Sequence, residues 1–293
     1  MPIVPFTDLL ADARRGGYAV GYFEAWDSYS LEAVLEAAEL EHSPVILGFG
    51  CLLLDQAWLE NGGIEIFGAI GRAVAARSQV PVSLLLNEAH TLAHAVRGID
   101  AGFNAVMLAT SETETVASLT RIAHARGVAV EAELGELPDG NPVGETDRAH
   151  ASLTDPDQAA AFVRATQVDA LAVSIGNVHT LEGDTAQVDL DRLAGIQRNV
   201  DVPLVIHGGT AFPPDAVPGA IARGVAKFNV GTTLKRTFLE ELSAGLAGVP
   251  ASASPHDLVG SHKSSDLLEA TKPRLVEKLR ELMRLYRSSG RAA

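Results

Sequence analysis

The chain has 293 residues, 47% of them hydrophobic and 20% charged, which is enough apolar material for a large core and too little charge for a disordered chain. Against 23 basic residues stand 37 acidic ones, a formal net charge of −14 that offers no basic footprint for nucleic acid. A single cysteine, Cys51, excludes an internal disulfide and any zinc finger built on two or more cysteines. No apolar run approaches the roughly 18–20 residues of a membrane span, and the opening MPIVPF lacks the basic and long apolar regions of a secretion signal. The expectation is a cytoplasmic protein with neither a membrane nor a nucleic-acid partner.

In chain order the sequence repeats one kind of unit: a short apolar run, a polar turn, then an amphipathic stretch. The apolar runs are Ala19–Phe23, Pro44–Phe49, Val80–Leu86, Ala105–Ala109, Val128–Leu134, Ala170–Ile175, Pro203–Ile206 and Val225–Val230. They are rich in Val, Ile and Leu and mostly continuous rather than alternating, the pattern of strands buried on both faces of a parallel sheet. Between them, Leu31, Val34, Leu35 and Ala38 fall at helical spacing, as do Leu92, Ala95, Val96 and Ile99 before the helix stop Gly102. Thr154-Asp155-Pro156 opens another helix, and Leu267–Tyr286 reads as a long terminal one. Eight such units without a linker predict an α/β chain, one (β/α)8 TIM barrel over residues 1–293 with a helical extension from about 266. An open doubly wound sheet is the alternative, but the first strand is followed by Glu24-Ala25-Trp26-Asp27 and not by a glycine-rich phosphate fingerprint. Ala247–Ser265 reads as a surface connector or a lid.

In such a barrel the chemistry gathers at the carboxyl ends of the strands. Asn87 and Glu88 follow the third run, Glu131 and Glu133 end the fifth, His179 follows the sixth and His207 the seventh. Taken singly, either histidine reads as structural; at neighbouring strand ends they point to a shared metal site completed by a carboxylate. Glu133 in a buried strand needs a cation, either a metal or an Arg or Lys. The other histidines, His42, His90, His94, His124, His150, His256 and His262, fall in helical or loop patterns and read as surface. His207-Gly208-Gly209-Thr210 and Asn229-Val230-Gly231-Thr232 end the last two strands, where barrels often hold phosphate on backbone N–H groups.

These residues resemble the class II, metal-dependent ketose-bisphosphate aldolases. The resemblance runs through nearly all of the chain: GYAVGYF at Gly17–Phe23, SPVI at Ser43–Ile46, AGFNAVM at Ala101–Met107, VEAELG at Val130–Gly135, LAVSIGNVH at Leu171–His179, PLVIHGG at Pro203–Gly209 and KFNVGT at Lys227–Thr232. It implies that His179 and His207 are zinc ligands and that Glu133 lies beside the metal. It implies further that Gly208, Gly209, Thr210, Asn229, Gly231 and Thr232 hold the phosphate of dihydroxyacetone phosphate, with Asn229 also near the reacting carbons.

The sequence departs from the family on the catalytic side. Where the family reads His-Leu-Asp-His, this chain reads Leu85-Leu86-Asn87-Glu88, so the proton-transfer aspartate is an amide and the third zinc ligand a carboxylate. The family's acidic loop run is Pro138-Asp139-Gly140-Asn141, its Gly-Leu-Tyr is Thr180-Leu181-Glu182, and its Phe-Asn near the start is Phe23-Glu24. The expected metal set is His179, His207 and Glu88, with Glu133 as alternative ligand or supporting group and Asn87, Glu88 and Asn229 as the catalytic positions. The expected ion is zinc, with manganese, cobalt or magnesium as alternatives that a carboxylate ligand favours somewhat more. Glu88 is either a ligand or the replacement base. The resemblance therefore implies a divergent lyase performing metal-assisted aldol chemistry on a phosphorylated ketose. The other reading is a catalytically impaired homologue that binds sugar phosphate or serves as a partner subunit.

Relatives in the family associate, so a homo-oligomer (dimer or tetramer) is expected, with the stripe Leu275, Leu279, Leu282 and Leu285 on the terminal helix either at the interface or against its own barrel. Arg280, Arg284, Arg287 and Arg291 either reach a second substrate phosphate or solvate that face.

Overall fold

The computed structural model describes residues 3–135, 153–178 and 185–292. Eight parallel strands close into a barrel in sequential order. They are β1 (Val20–Ala25), β2 (Val45–Gly50), β3 (Val82–Ala89), β4 (Ala105–Leu108), β5 (Ala129–Leu134), β6 (Ala170–Val173), β7 (Leu204–Ile206) and β8 (Val225–Val230). The ring is closed by pairing of β1 with β8, Tyr22 opposite Asn229 and Phe23 opposite Val230. The helices are α1 (Phe6–Gly16), α2 (Ser28–Leu40), α3 (Gln56–Trp58), α4 (Ile64–Ala75), α5 (Leu92–Asp100), α6 (Thr113–His124), α7 (Pro156–Thr166), α8 (Leu190–Asn199), α9 (Val217–Ile221), α10 (Thr232–Ala247), α11 (Pro255–Leu258) and α12 (Leu267–Leu285). This is the (β/α)8 barrel that the apolar runs predict. None of the described helices is long and apolar enough to cross a membrane.

Continuous apolar runs form these strands because each is covered on both faces. Outward-facing Phe23, Leu47, Leu84, Leu86, Val130, Leu171 and Phe228 pack under the helices. Inward-facing Val20, Tyr22, Ile46, Leu85, Ala105, Ala129, Ala170, Ala172 and Val205 form a second cluster, closed from below by Phe6, Leu9, Leu10 and Ala13 of α1. Alanines on β4, β5 and β6 leave interior space beside the larger Tyr22, Ile46 and Leu85, and the next layer toward the carboxyl ends is polar. Helix entries follow their side chains: Asp27 and Ser30 form a capping box on α2, and Asp155 caps α7 with Pro156 at its first position.

The strand ends differ from the apolar runs where the inward face turns polar. β3 continues three residues beyond Leu86 to include Asn87 and Glu88, and β1 includes Glu24. On α12, Leu275 and Leu279 are buried against the barrel, with Leu282 and Leu285 half-buried beside them. Leu275 and Leu279 are thus internal packing of the helix on its own barrel. Arg280 and Arg284 bind Glu41 at the end of α2, at 2.8 and 2.6 Å, and are committed there rather than to a substrate. His94 is not a surface residue: it is buried in α5, and His90 is half-buried. The periodicity of α5 conceals this, because the polar imidazole sits on the inner face beside Ala95 and Ile99. In the connector between α10 and α12, Asp266 accepts from the N–H groups of Ser261 and His262 and from the Tyr29 hydroxyl, which pins the end of that segment to the barrel.

Candidate active site

The polar layer begins with alternation on two strands. Glu131 and Glu133 on β5, and Lys227 and Asn229 on β8, all point inward. Lys227 is fully buried, with its ammonium 2.9 and 2.8 Å from the two oxygens of Glu131 and 5.0 Å over the Tyr22 ring. It also donates to Asn229 Oδ1, which leaves the Asn229 Nδ2 group without a partner among the described residues. Sequence reasoning missed Lys227. The available signal was a lysine inside the apolar run VAKFNV, in phase with Asn229 and opposite a buried glutamate.

His207 directly follows β7, and its ring is held from both sides. Nε2 lies 3.0 Å from Glu131 Oε1, while Nδ1 lies 3.5 Å from Glu88 Oε1 and 3.4 Å from Glu133 Oε2. Asn177, buried beside it, donates to the His207 carbonyl at 2.9 Å. Glu131 therefore fixes a proton on Nε2 and turns Nδ1 toward the other two carboxylates, the arrangement by which carboxylates orient metal-binding histidines.

Glu88 reaches this point through an unusual backbone. Consecutive strand residues face opposite ways, yet Asn87 and Glu88 are both turned to the interior. The register with β4 shifts between Leu86 and Ala89, and Glu88 adopts φ +54°, a left-handed conformation that a non-glycine residue takes at a cost of order 1–3 kcal/mol. Asn87 Nδ2 donates to Glu88 Oε2 at 2.9 Å, and Asn87 Oδ1 has no partner among the described residues.

Glu88, Glu133 and His207 each offer a ligand atom, all within 4.8 Å of one another, forming a candidate metal-binding group. Its electrostatics fit a cation. Burial acts first on Glu133, raising it; His207 opposes this, Glu88 and Glu131 add to it, and the carboxyl stands at about 7. Burial pulls His207 down, but Glu133, Glu131 and Glu88 reverse this and hold the imidazole at about 10. Burial also raises Glu131, but Lys227 and His207 outweigh it and keep that carboxylate below its ordinary range. In the metal-free protein a proton on His207 thus occupies the place of a cation. Added Zn²⁺ or Mn²⁺ must displace it, so calorimetry in buffers of different ionisation enthalpy is expected to read about one proton released per ion at pH 8 and close to two at pH 6, where Glu133 is also protonated. Affinity then falls as the pH falls; binding without proton release would contradict the assignment of His207 Nδ1 as a donor.

His179, Pro138–Asn141, Thr180–Glu182 and His150 lie outside the described residues. The strand-seven and strand-eight motifs meet at one side of the mouth. Gly208 has φ +67°, and a Cβ there would stand 2.2 Å from the Val178 carbonyl oxygen, so glycine is required. Gly209 donates to the Asn229 carbonyl at 2.9 Å. Thr210 Oγ1 accepts from the Thr233 N–H at 3.2 Å, and Gly231 begins α10 without a side-chain cap. The glycine-lined start of α10, whose Thr233 N–H is already met by Thr210, is a candidate place for an anion.

An eight-stranded α/β barrel whose mouth gathers a histidine, carboxylates and a glycine-lined helix start fits a broad class of small-molecule sites. Solved structures narrow it. The chain is similar to the YdjI aldolase from Escherichia coli K12, with 27% identity, a TM-score of 0.79 and coverage of 99% of this chain and 100% of that one. It is similar to a candidate fructose-1,6-biphosphate aldolase from Coccidioides immitis, at 25% identity, TM-score 0.81 and coverage of 98% and 97%. It shares its fold with the fructose-bisphosphate aldolase of Campylobacter jejuni, at 19% identity, TM-score 0.74 and coverage of 98% and 96%. The profile of the class-II fructose-bisphosphate aldolases matches residues 4–291, and the chain belongs to that family.

Proposed function

We propose that this chain is a metal-assisted carbon–carbon lyase that performs aldol and retro-aldol chemistry on a phosphorylated ketose. The observation that supports it most is the convergence of Glu88, Glu133 and His207, backed by the buried Glu131–Lys227 pair.

Glu88, Glu133 and His207 would hold a divalent cation, with His179 as a further ligand by family resemblance. Two carboxylates and one imidazole suit zinc and also the harder manganese and magnesium ions. When bound, such a cation supplies Lewis-acid polarisation of the ketone carbonyl. The protein's own groups divide the rest. Glu88 directs Oε1 toward His207 and Oε2 toward Asn87, so one carboxylate serves the ligand position and also faces the place of the missing aspartate. Asn87 cannot exchange a proton. Glu88 Oε2 receives the proton of the substrate hydroxyl beside the cleaved bond, while Asn87 Nδ2, which donates to Oε2, holds the carboxylate in place. Asn229, fixed by Lys227, donates through Nδ2 to a substrate oxygen. Gly208, Thr210, Gly231 and Thr232 take the phosphate on backbone N–H groups and hydroxyls, while Gly209, whose N–H is engaged by the Asn229 carbonyl, permits the close approach of β8.

The experiment is metal titration of chelator-treated protein followed by retro-aldol assays over ketose phosphates. One equivalent of zinc, manganese or cobalt is expected to bind. With fructose and tagatose bisphosphates, turnover is expected to fall about 10²–10⁴-fold short of an enzyme carrying the aspartate. Protein that refuses all of these ions removes the reading.

A further inference from the structure

Two imidazoles lie outside the group at the mouth and take no part in the mechanism. His90 directly follows β3, and His94 lies in the first turn of α5, where Thr91 Oγ1 accepts from its backbone N–H at 3.1 Å. The ring centroids are 6.3 Å apart, with the planes at 74°. His94 is 4% exposed and His90 is half-buried. His90 Nε2 and His94 Nδ1 are both closed off from solvent, and neither has a hydrogen-bond partner among the described residues. A buried polar nitrogen left unpaired is costly, and two at one place mark a position for a shared ligand more than for packing.

The surroundings select a cation. Arg97, one turn beyond His94, is committed elsewhere: Nε and Nη2 bind the two Glu65 oxygens at 2.8 and 2.6 Å, and Nη2 also donates to the Leu59 carbonyl at 3.1 Å. That clamp ties the turn Leu59–Gly63 to α5, and the charge of Glu60 on this turn acts on His94. Burial first, then Arg97, brings His94 below its ordinary range; Glu60 and Glu65 oppose this and His90 adds to it. The imidazole is therefore neutral and keeps a lone pair. An anion would require both rings to be charged, whereas a metal ion takes them neutral. An ion about 2.0–2.1 Å from one nitrogen of each ring sets the two centroids about 5–6 Å apart. The observed pair is a small movement from that spacing, and His90, half-buried and outside α5, supplies it.

We propose that His90 and His94 form a second metal site, for a divalent ion that prefers nitrogen donors, nickel or copper. The group at the mouth offers two carboxylates and one imidazole, so the two sites differ in the ions they favour. The inference does not depend on the reaction proposed above.

The test titrates the full chain calorimetrically with Ni²⁺ after one equivalent of Zn²⁺ has been added for the mouth. One further ion is expected to bind, with the zinc retained. His90→Gln and His94→Gln are each expected to weaken this event by at least about tenfold. His94→Gln is expected to change Zn²⁺ affinity by less than about threefold, as for separate sites. Glu88→Gly, which removes a donor at the mouth, is expected to leave the nickel event in place. Nickel that binds only by replacing zinc would overturn the inference, as would a second event that both histidine variants keep at full strength. If those variants do not fold, X-ray absorption at the nickel edge of the zinc-loaded parent decides: two imidazoles around the ion support the site, and one or none overturns it.

Discussion

Lys227→Met is expected to destabilise the protein by about 3–5 kcal/mol, the cost of leaving one member of a buried ion pair without the other. Glu131 and Lys227 are both fully buried, and the ammonium contacts both carboxylate oxygens, the Asn229 amide and the face of Tyr22. Methionine fills the volume but leaves Glu131 with His207 as its remaining charge partner. At about 2–4 °C per kcal/mol for a chain of this order of size, thermal unfolding at pH 7.5 should show a drop of roughly 6–20 °C. Glu131→Gln combined with Lys227→Met is expected to recover most of it, because an amide oxygen still accepts from His207 and no uncompensated charge remains. The sign with pH follows from Glu131. Its carboxyl is lowered in the folded state, so its stabilising contribution is present above the ordinary carboxylate range and is lost as the pH falls through the folded-state value. The difference between the Lys227→Met variant and the parent should therefore shrink in acid. A loss below about 1 kcal/mol at pH 7.5 would mean that the pair does not support the polar layer.

The barrel was legible because burial on both faces writes continuous apolar runs, and all eight became strands. The site was legible by a different route: polar residues at strand ends and family motifs named Glu88, Glu133 and His207, which the fold brings together. What the pattern concealed was inward polarity. Lys227 is masked by the apolar residues on either side of it, and Asn87 and Glu88 seemed to follow β3 although they belong to it. Strand alternation alone would place Asn87 and Glu88 on opposite faces; the left-handed turn at Glu88 reverses that, and no local sequence signal announces it. The leucine stripe of α12 was ambiguous for a related reason. Periodicity specifies a buried face but not what buries it, and here Phe228 stacks on Tyr286 at the end of that helix, with ring centroids 4.6 Å apart.

The left-handed conformation of Glu88 also separates the demands of stability from those of function. Glu88→Gly removes a candidate ligand and is expected to lower affinity for added Zn²⁺ or Mn²⁺ by more than the ~10–100-fold typical of losing a supporting group around a metal. Its effect on the metal-free fold should nevertheless be small. Glycine adopts φ +54° without the Cβ conflict, which recovers about 1 kcal/mol, and one source of repulsion on Glu133 disappears. Against these stand the lost hydrogen bond from Asn87, about 1 kcal/mol, and the greater freedom of glycine in the unfolded chain, about 0.4–1 kcal/mol. The contributions nearly cancel, so the melting temperature of chelator-treated protein should stay within a few degrees of the parent. Zinc, which should raise the parent's melting temperature, should raise that of the variant far less, since stabilisation by a ligand grows with the ratio of its concentration to its dissociation constant. Parent and variant stabilised equally by zinc would place the ion elsewhere. A large fall in the metal-free melting temperature would instead make Glu88 a structural partner of His207, held in an unfavourable backbone conformation for the sake of the fold.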